Sequence, residues 1–192
     1  MQLDGRSMYK NLLKIAFIII INNYNHNNEQ PYMIDGPLNF ASYFPKGSDG
    51  RAPPDLGPKV YAAMGYCAET KTFTETKMHL DIGDAFNLTV HVGDPPIDLP
   101  DDMKAEGLEG VSGAIWDIWK PEDKEKISQL LKFRAEEMDV PVSETPIHDQ
   151  FYYINAADRA RLKEEFGVVG FRFVQGLGDM VVVPAGAPHQ VF

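Results

Sequence analysis

The stretch GDMVVVPAGAPH, residues 178–189, decides the fold. Its spacing follows the pattern G-x5-P-x-G-x2-H. The apolar run 180–183 predicts a buried strand, and Pro184 and Gly186 predict a turn directly after it. That turn would bring His189 into the mouth of a β-barrel. We therefore interpret His189 as a candidate metal ligand, and the alternative is a structural histidine.

A second motif, His79-Leu80-Asp81, lies far upstream. In a strand, residues i and i+2 project to the same face, so His79 and Asp81 would point together into one cavity. An imidazole and a carboxylate supply two corners of a two-histidine, one-carboxylate facial triad, which leaves open positions on a bound metal. The alternative is a chance surface pair. With His189 as the third ligand, the interval between the motifs fits a double-stranded β-helix that carries an insertion.

Strand patterns dominate both ends of the chain, and helical patterns lie between them. Residues 121–138 have a helical pattern with Ile127, Leu130, Leu131 and Met138 near one face. Asn155 and Asp158 have the spacing of a capping box for a second helix, which Gly167 would end. The fold class we predict is mainly β, a double-stranded β-helix of the cupin or jelly-roll type with a helical insertion. The predicted strands are 60–65, 72–78, 86–92, 170–175 and 179–183.

Length and composition describe one soluble globular domain. The chain has 192 residues, of which 44% are apolar and 24% charged, and its net charge is −10. These values exclude wholesale disorder, collagen and a polytopic membrane protein, and they argue against a general binder of phosphate backbones. The single cysteine, Cys67, excludes an internal disulfide and a Cys-based zinc site. The acidic residues of 94–109 are interpreted as a solvated loop, and the alternative is electrostatic steering of a basic peptide.

The first thirty residues differ from the rest. Residues 15–21, IAFIIII, are too few to span a bilayer, which needs about 20 residues. Basic residues precede this run, so a secretory signal is one alternative, and a buried strand or helix, or a stretch foreign to the fold, is the other. The Asn-rich residues 22–28 read as a linker. We predict that 1–30 form an atypical extension apart from the barrel, and that 31–192 form the domain.

Five strings together resemble the JmjC histone lysine demethylases, and among them the hairless-type subfamily, which acts on the lysine at position nine of histone H3. The resemblance covers residues 36–191 and implies a cupin-like jelly roll with Fe(II)- and 2-oxoglutarate-dependent oxidative demethylation. The strings are PPDLGPKVYAAMG (53–65), HLDIGDAFNLTVHVG (79–93), PIHDQFYY (146–153), RLKEEFGVVGF (161–171) and GDMVVVPAGAPHQV (178–191).

The resemblance also assigns roles to residues of the site. Thr76 and Asn87 would face the cosubstrate 2-oxoglutarate; the alternatives are a core-facing threonine and an asparagine at a strand end. Tyr61 would line the methyl-lysine pocket, or else be an ordinary core tyrosine. The basic residue that grips the distal carboxylate of 2-oxoglutarate is Lys59, Lys77 or a lysine outside this sequence. The iron ligands would be His79, Asp81 and His189.

This sequence departs from the family pattern in several places. It stops at Phe192, where the family continues into further barrel strands, so we expect a domain that is truncated at its C-terminus. The Asn that family members carry four residues after the second histidine has no counterpart here. With Cys67 alone, the Cys-rich zinc module cannot be formed. His91 and His148 are interpreted as a surface or packing histidine and a structural histidine, not as ligands.

The leading prediction is a dioxygenase that removes methyl groups from lysine on a histone tail. One alternative is a JmjC-type protein hydroxylase, which has the same metal site and a stable hydroxylated product. Another is an inactive, truncated module that mediates chromatin interactions. The expected partners are a methylated histone tail peptide and chromatin, with no direct membrane partner and no sequence-specific nucleic-acid motif. The resemblance alone implies a nuclear location.

Overall fold

The computed structural model describes residues 16–20, 59–63, 65–67, 72–95, 99, 101–107 and 109–192. Within these ranges three helices interrupt a series of short strands. The helices are α1 (Asp101–Ala105), α2 (Lys124–Glu137, after a 3-10 turn at Pro121–Asp123) and α3 (Ala156–Phe166). The strands are β1 (Ala16–Ile20), β2 (Lys59–Ala63), β3 (Tyr66–Cys67), β4 (Thr72–Phe73), β5 (Thr76–His79), β6 (Ala85–His91), β7 (Ala114–Ile118), β8 (Phe171–Gln175), β9 (Met180–Val183) and β10 (His189–Val191).

The described strands form two four-stranded sheets and one small hairpin, and every pairing is antiparallel. The first sheet has the order β2-β1-β6-β9, and the second has the order β5-β10-β7-β8. Trp116 and Val191 of the second sheet pack in one buried cluster with Val181 and Val183 of the first. The two sheets therefore face each other. The prediction of a mainly β fold is confirmed, and the double-stranded β-helix stays a prediction. The predicted strand 72–78 is divided into β4 and β5.

The helical insertion packs on the side of the second sheet that faces away from the first. Met78 of β5 is fully buried against helix residues such as Leu130 and Leu162. The predicted capping box is present, since Asn155 and Asp158 satisfy each other's backbone amides, and Gly167 ends α3 with a φ of 65°. Met138 corrects the prediction for α2, because its side chain is exposed and Ala135 takes the fourth buried position. No helix among the described residues is long and apolar enough to cross a membrane.

Strand β1 shows that residues 16–20, which we expected to lie apart from the barrel with the rest of 1–30, pair with the first sheet. It pairs with β2 on one side, where Ile18 lies opposite Tyr61, and with β6 on the other, where Ile18 lies opposite Thr89. A run rich in β-branched residues, such as IAFIIII, has high strand propensity. The strand at 16–20 agrees with the strand alternative for this run. A domain boundary at residue 30 stays a prediction.

The acidic segment 94–109 is not uniformly solvated. Glu106, directly after α1, is only 9% exposed, and its carboxylate accepts hydrogen bonds from Arg159 at 2.7 Å and Arg172 at 3.1 Å. It also accepts one from the backbone N–H of Ala156, at the start of α3, at 2.6 Å. The solvated-loop interpretation is therefore wrong for this residue. It holds for the exposed Asp94 and Glu109, and Asp98 lies outside the described residues.

Candidate metal centre

Two strands bring the histidines together. β5 ends at His79, β10 begins at His189, and the two residues are direct partners in the antiparallel ladder. Directly opposed residues in such a ladder point to the same face of the sheet. Their imidazole rings accordingly lie with centroids 4.1 Å apart and planes tilted by 53°. The turn formed by Pro184 and Gly186 delivers His189 to this place, and Gly186 has a φ of 72°, which favours glycine.

Asp81 joins them by a route that the sequence did not predict. Because β5 stops at His79, Asp81 lies in the loop after the strand and not on a shared strand face. Its Oδ2 is nevertheless 3.7 Å from Nε2 of His189. The candidate ligand atoms of the three side chains all lie within 4.8 Å of one another. Three ligands on one face of a metal, each with a bond of about 2.0–2.2 Å, have ligand atoms about 3 Å apart, so the three side chains would move closer together around one ion.

Both imidazoles are oriented by backbone carbonyls. Nδ1 of His79 lies 2.7 Å from the carbonyl oxygen of Lys77, and Nδ1 of His189 lies 2.9 Å from that of Ala187. A carbonyl can only accept, so each Nδ1–H donates and each Nε2 keeps its lone pair for a metal. Burial, and to a smaller extent the neighbouring His79, lowers the pKa of His189. The neutral imidazole that ligation requires is therefore favoured.

A buried series of hydrogen bonds lies behind His189. The Trp116 ring stacks on the His189 imidazole with centroids 6.0 Å apart and planes 22° apart. Its Nε1 donates to Oε1 of Gln175 at 2.7 Å, and Gln175 Nε2 donates to the backbone oxygens of Asn87 at 2.8 Å and Asp179 at 2.9 Å. Sequence reasoning missed Trp116 and Gln175. No strand was predicted over Trp116, which lies in β7, and no local signal distinguished Gln175.

A register shift places Thr76 on the side of the site. In the β5–β10 ladder His79 opposes His189, but Thr76 opposes Val191, so three residue steps on β5 match two on β10. With regular alternation, the side chains of Thr76 and His79 would point to opposite faces of the sheet. The register shift places them on the same face. Asn87 is buried on β6 opposite Val181, a member of the cluster between the sheets. Both positions are compatible with the predicted contacts to a cosubstrate.

The structure gives a separate outcome for each of the remaining candidates, which are a tyrosine, two lysines and two histidines. Tyr61 is 48% exposed, so the core-tyrosine alternative is wrong and the methyl-lysine pocket stays a prediction. Lys77 forms an ion pair with Glu75, and burial and Arg134 lower the pKa of its ammonium group. Lys59 begins β2, and its side chain lies outside the described residues. The two other histidines among the described residues, His91 and His148, are exposed and lie outside the group; exposure agrees with the surface alternative for His91, and the structural role of His148 stays a prediction.

The donor set suits a ferrous ion. Among the described residues, His79, Asp81 and His189 form the group of three or more His, Cys, Asp or Glu side chains that could share one metal. Two imidazoles and one carboxylate on neighbouring strands and loops are the ligands of non-heme Fe(II) oxygenases, which keep further positions for substrate and oxygen. The carboxylate also offsets part of the charge of a divalent ion.

Comparison with known proteins agrees with this donor set. Residues 105–192 match the family model described as JmjC domain, hydroxylase. The second half of the chain is therefore similar to a JmjC domain. It is similar to lysine-specific demethylase 3A of Mus musculus, with 40% identity over 178 residues, covering 82% of this chain and 13% of the relative. It is also similar to lysine-specific demethylase 3 of Drosophila melanogaster (39%, 81% of this chain, 20% of the relative) and to lysine-specific demethylase JMJ26 of Arabidopsis thaliana (34%, 81%, 22%).

The JmjC domain is a cupin-type domain, in accord with the two antiparallel sheets. The alignments to these relatives cover about four fifths of the chain, a longer part than the family-model match. The chain spans less than a quarter of the length of these relatives. What they do as whole proteins is therefore carried to this chain only as a proposal.

Proposed function

We propose that this protein is an Fe(II)- and 2-oxoglutarate-dependent dioxygenase that demethylates methyl-lysine on a histone tail. The observation that carries the proposal is the convergence of His79, Asp81 and His189 in a chain whose second half is similar to a JmjC domain. Similarity to three lysine-specific demethylases supports the choice of methyl-lysine as substrate. The two facing sheets are proposed to form a double-stranded β-helix, with the helical insertion on its outside.

His79, Asp81 and His189 would hold the iron. When bound, iron and 2-oxoglutarate would activate O2: one oxygen atom enters succinate as 2-oxoglutarate loses CO2, and the other hydroxylates the N-methyl group to a carbinolamine, which releases formaldehyde. The two carbonyl-bound imidazoles keep Nε2 directed to the metal, and Asp81 supplies the negative charge. Thr76 and Asn87 are proposed to contact the cosubstrate, and the registers of β5 and β6 are compatible with side chains beside the triad.

We propose the substrate first as a class, a methylated histone tail, and then as one lysine of histone H3. A methylated histone tail is basic, and the net charge of −10 favours association with a basic peptide. The finer assignment, the hairless-type subfamily acting on the lysine at position nine of histone H3, rests on the strings 53–65, 79–93 and 178–191. Chromatin as partner and the nucleus as location follow from that assignment.

The test is a product analysis on a methylated histone H3 tail peptide with Fe(II) and 2-oxoglutarate. We expect formaldehyde, succinate and a peptide that is lighter by one methylene unit, and none of these with Asp81→Ala. Succinate with a peptide that gains one oxygen and keeps its methyl group would assign the protein-hydroxylase activity instead. A chain that binds neither Fe(II) nor 2-oxoglutarate would leave the non-enzymatic chromatin module.

A further inference from the structure

The loop that carries Asp81 is held in place by contacts outside the strand ladder. β5 ends at His79 and β6 begins at Ala85, so Asp81 has no ladder partner of its own. The turn that leads to His189 also lies outside the strands, since β9 ends at Val183 and β10 begins at His189. The distance between the two ligands therefore depends on what connects these two loops.

Two hydrogen bonds make that connection. The backbone N–H of Gly186 donates to the backbone oxygen of Asp81 at 2.8 Å. The backbone N–H of Ala185 donates to Oδ1 of Asp84 at 2.7 Å, although the two residues are 101 positions apart in the chain. The β6–β9 ladder ends at the pair Ala85 and Val183. The Asp84 side chain thus adds one bond beyond the end of the ladder, between the loop that carries Asp81 and the turn that leads to His189.

We propose that Asp84 is a positioning residue, whose Oδ1 fixes the spacing of Asp81 and His189 through the N–H of Ala185. Asp84 is not a member of the metal-binding group. Its proposed role requires an acceptor oxygen at one position and does not require a negative charge near the metal. The proposal rests on the proposed function only in taking the triad as the metal site. Groups that orient metal ligands typically change metal affinity about 10- to 100-fold when removed.

The variants Asp84→Asn and Asp84→Glu separate position from charge. Asparagine keeps Oδ1 where it is and removes the negative charge, whereas glutamate keeps the charge and moves the oxygens outward by one methylene. A positioning role predicts that the oxygen position alone is sufficient, so D84N should bind metal like the wild type and D84E more weakly. A role of the negative charge predicts the reverse order. Asp84→Ala, which lacks both features, should bind about 10-fold more weakly.

The measurement is a Co(II) titration of the whole chain by visible absorption, with the melting temperature of each metal-free variant measured in parallel. The matched control is Asp94→Ala, which removes an exposed aspartate at the other end of β6. We expect Co(II) affinity in the order wild type, D94A and D84N together, then D84E and D84A, with metal-free melting temperatures that do not follow this order.

The outcomes distinguish the two proposals. If D84E binds Co(II) better than D84N, or if affinity changes only in proportion to the metal-free melting temperature, the positioning role is wrong. If D84A and D84E both bind like the wild type, it is wrong as well. If the wild-type chain itself takes up no Co(II) or Fe(II), the proposed function has failed, and the positioning role fails with it. This last result differs from the others because it appears before any substitution is made.

Discussion

Replacing Glu106 with Ala should destabilise the fold far more than replacing its neighbour Glu109. Glu106 is buried beside two guanidinium groups, those of Arg159 and Arg172, and it also caps the first backbone amide of α3. The same guanidinium groups lie 3.8 and 3.6 Å from the buried carboxylate of Asp117. Without Glu106, two positive charges would share one carboxylate in a partly buried place.

The magnitude follows from the burial of the partners. Removing one member of a buried ion pair typically costs about 3–5 kcal/mol. The Arg159 and Arg172 side chains are 22% and 26% exposed, so water compensates part of the loss and the lower end, about 3 kcal/mol, applies. For a chain of this length that corresponds to a fall in melting temperature of about 6–12 °C. Glu106→Gln keeps the shape and some hydrogen bonds, so its effect should be intermediate.

Urea unfolding followed by tryptophan fluorescence, with calorimetry for the melting temperature, measures the difference. Glu109→Ala is the matched control, since Glu109 is an exposed glutamate of the same segment and should change stability by less than about 0.5 kcal/mol. Equal losses for Glu106→Ala and Glu109→Ala would refute the ion network. So would a Glu106→Ala protein as stable as the wild type.

Three further results are expected. His79→Ala should abolish tight Fe(II) binding and His91→Ala should leave it intact in a chelator-competition titration, because only His79 belongs to the triad. Tyr153→Phe should leave stability at pH 7 unchanged or slightly raised in urea unfolding, since the buried hydroxyl has no hydrogen-bond partner among the described residues. Burial raises the pKa of Tyr153, so the wild type should lose stability above about pH 10, where the unfolded chain ionises, and the variant should lose less. Ile18→Pro removes an amide from the interior strand β1 and should lower the melting temperature; a melting temperature equal to that of the wild type would contradict the place of β1.

The sequence predicted the features that depend on local pattern. The capping box at Asn155, the glycine end at Gly167 and the turn before His189 follow from residue types at fixed spacing, and the structure has all of them. The triad residues were found because the two motifs carry histidine and aspartate in recognisable strings. The reason for the position of Asp81 was wrong, however. A pattern of alternate residues cannot tell where a strand stops, and β5 stops at His79.

The features that were missed depend on partners distant in sequence. Nothing near Glu106 distinguishes it from the exposed Glu109, because its partners Arg159 and Arg172 lie more than fifty positions away. The apolar run of β1 had no visible partner in the sequence either, and pairing with β2 and β6 is a property of the assembled sheet. Registers such as the shift beside Thr76 are set by both strands at once. Such features require the tertiary structure.

Strand β10 shows how the helical insertion is connected to the metal centre. His189 faces the space between the sheets, and the next residue, Gln190, faces the helices and is fully buried. The Gln190 side chain accepts from the N–H of Ile154 at 2.8 Å and donates to its carbonyl oxygen at 2.8 Å and to Asp117 at 2.9 Å. It therefore satisfies both backbone groups of the residue before the N-cap of α3. Because consecutive residues of one strand share a backbone, a register that places Gln190 against Ile154 also places His189 opposite His79. The insertion thus helps to specify the register on which the candidate metal site depends.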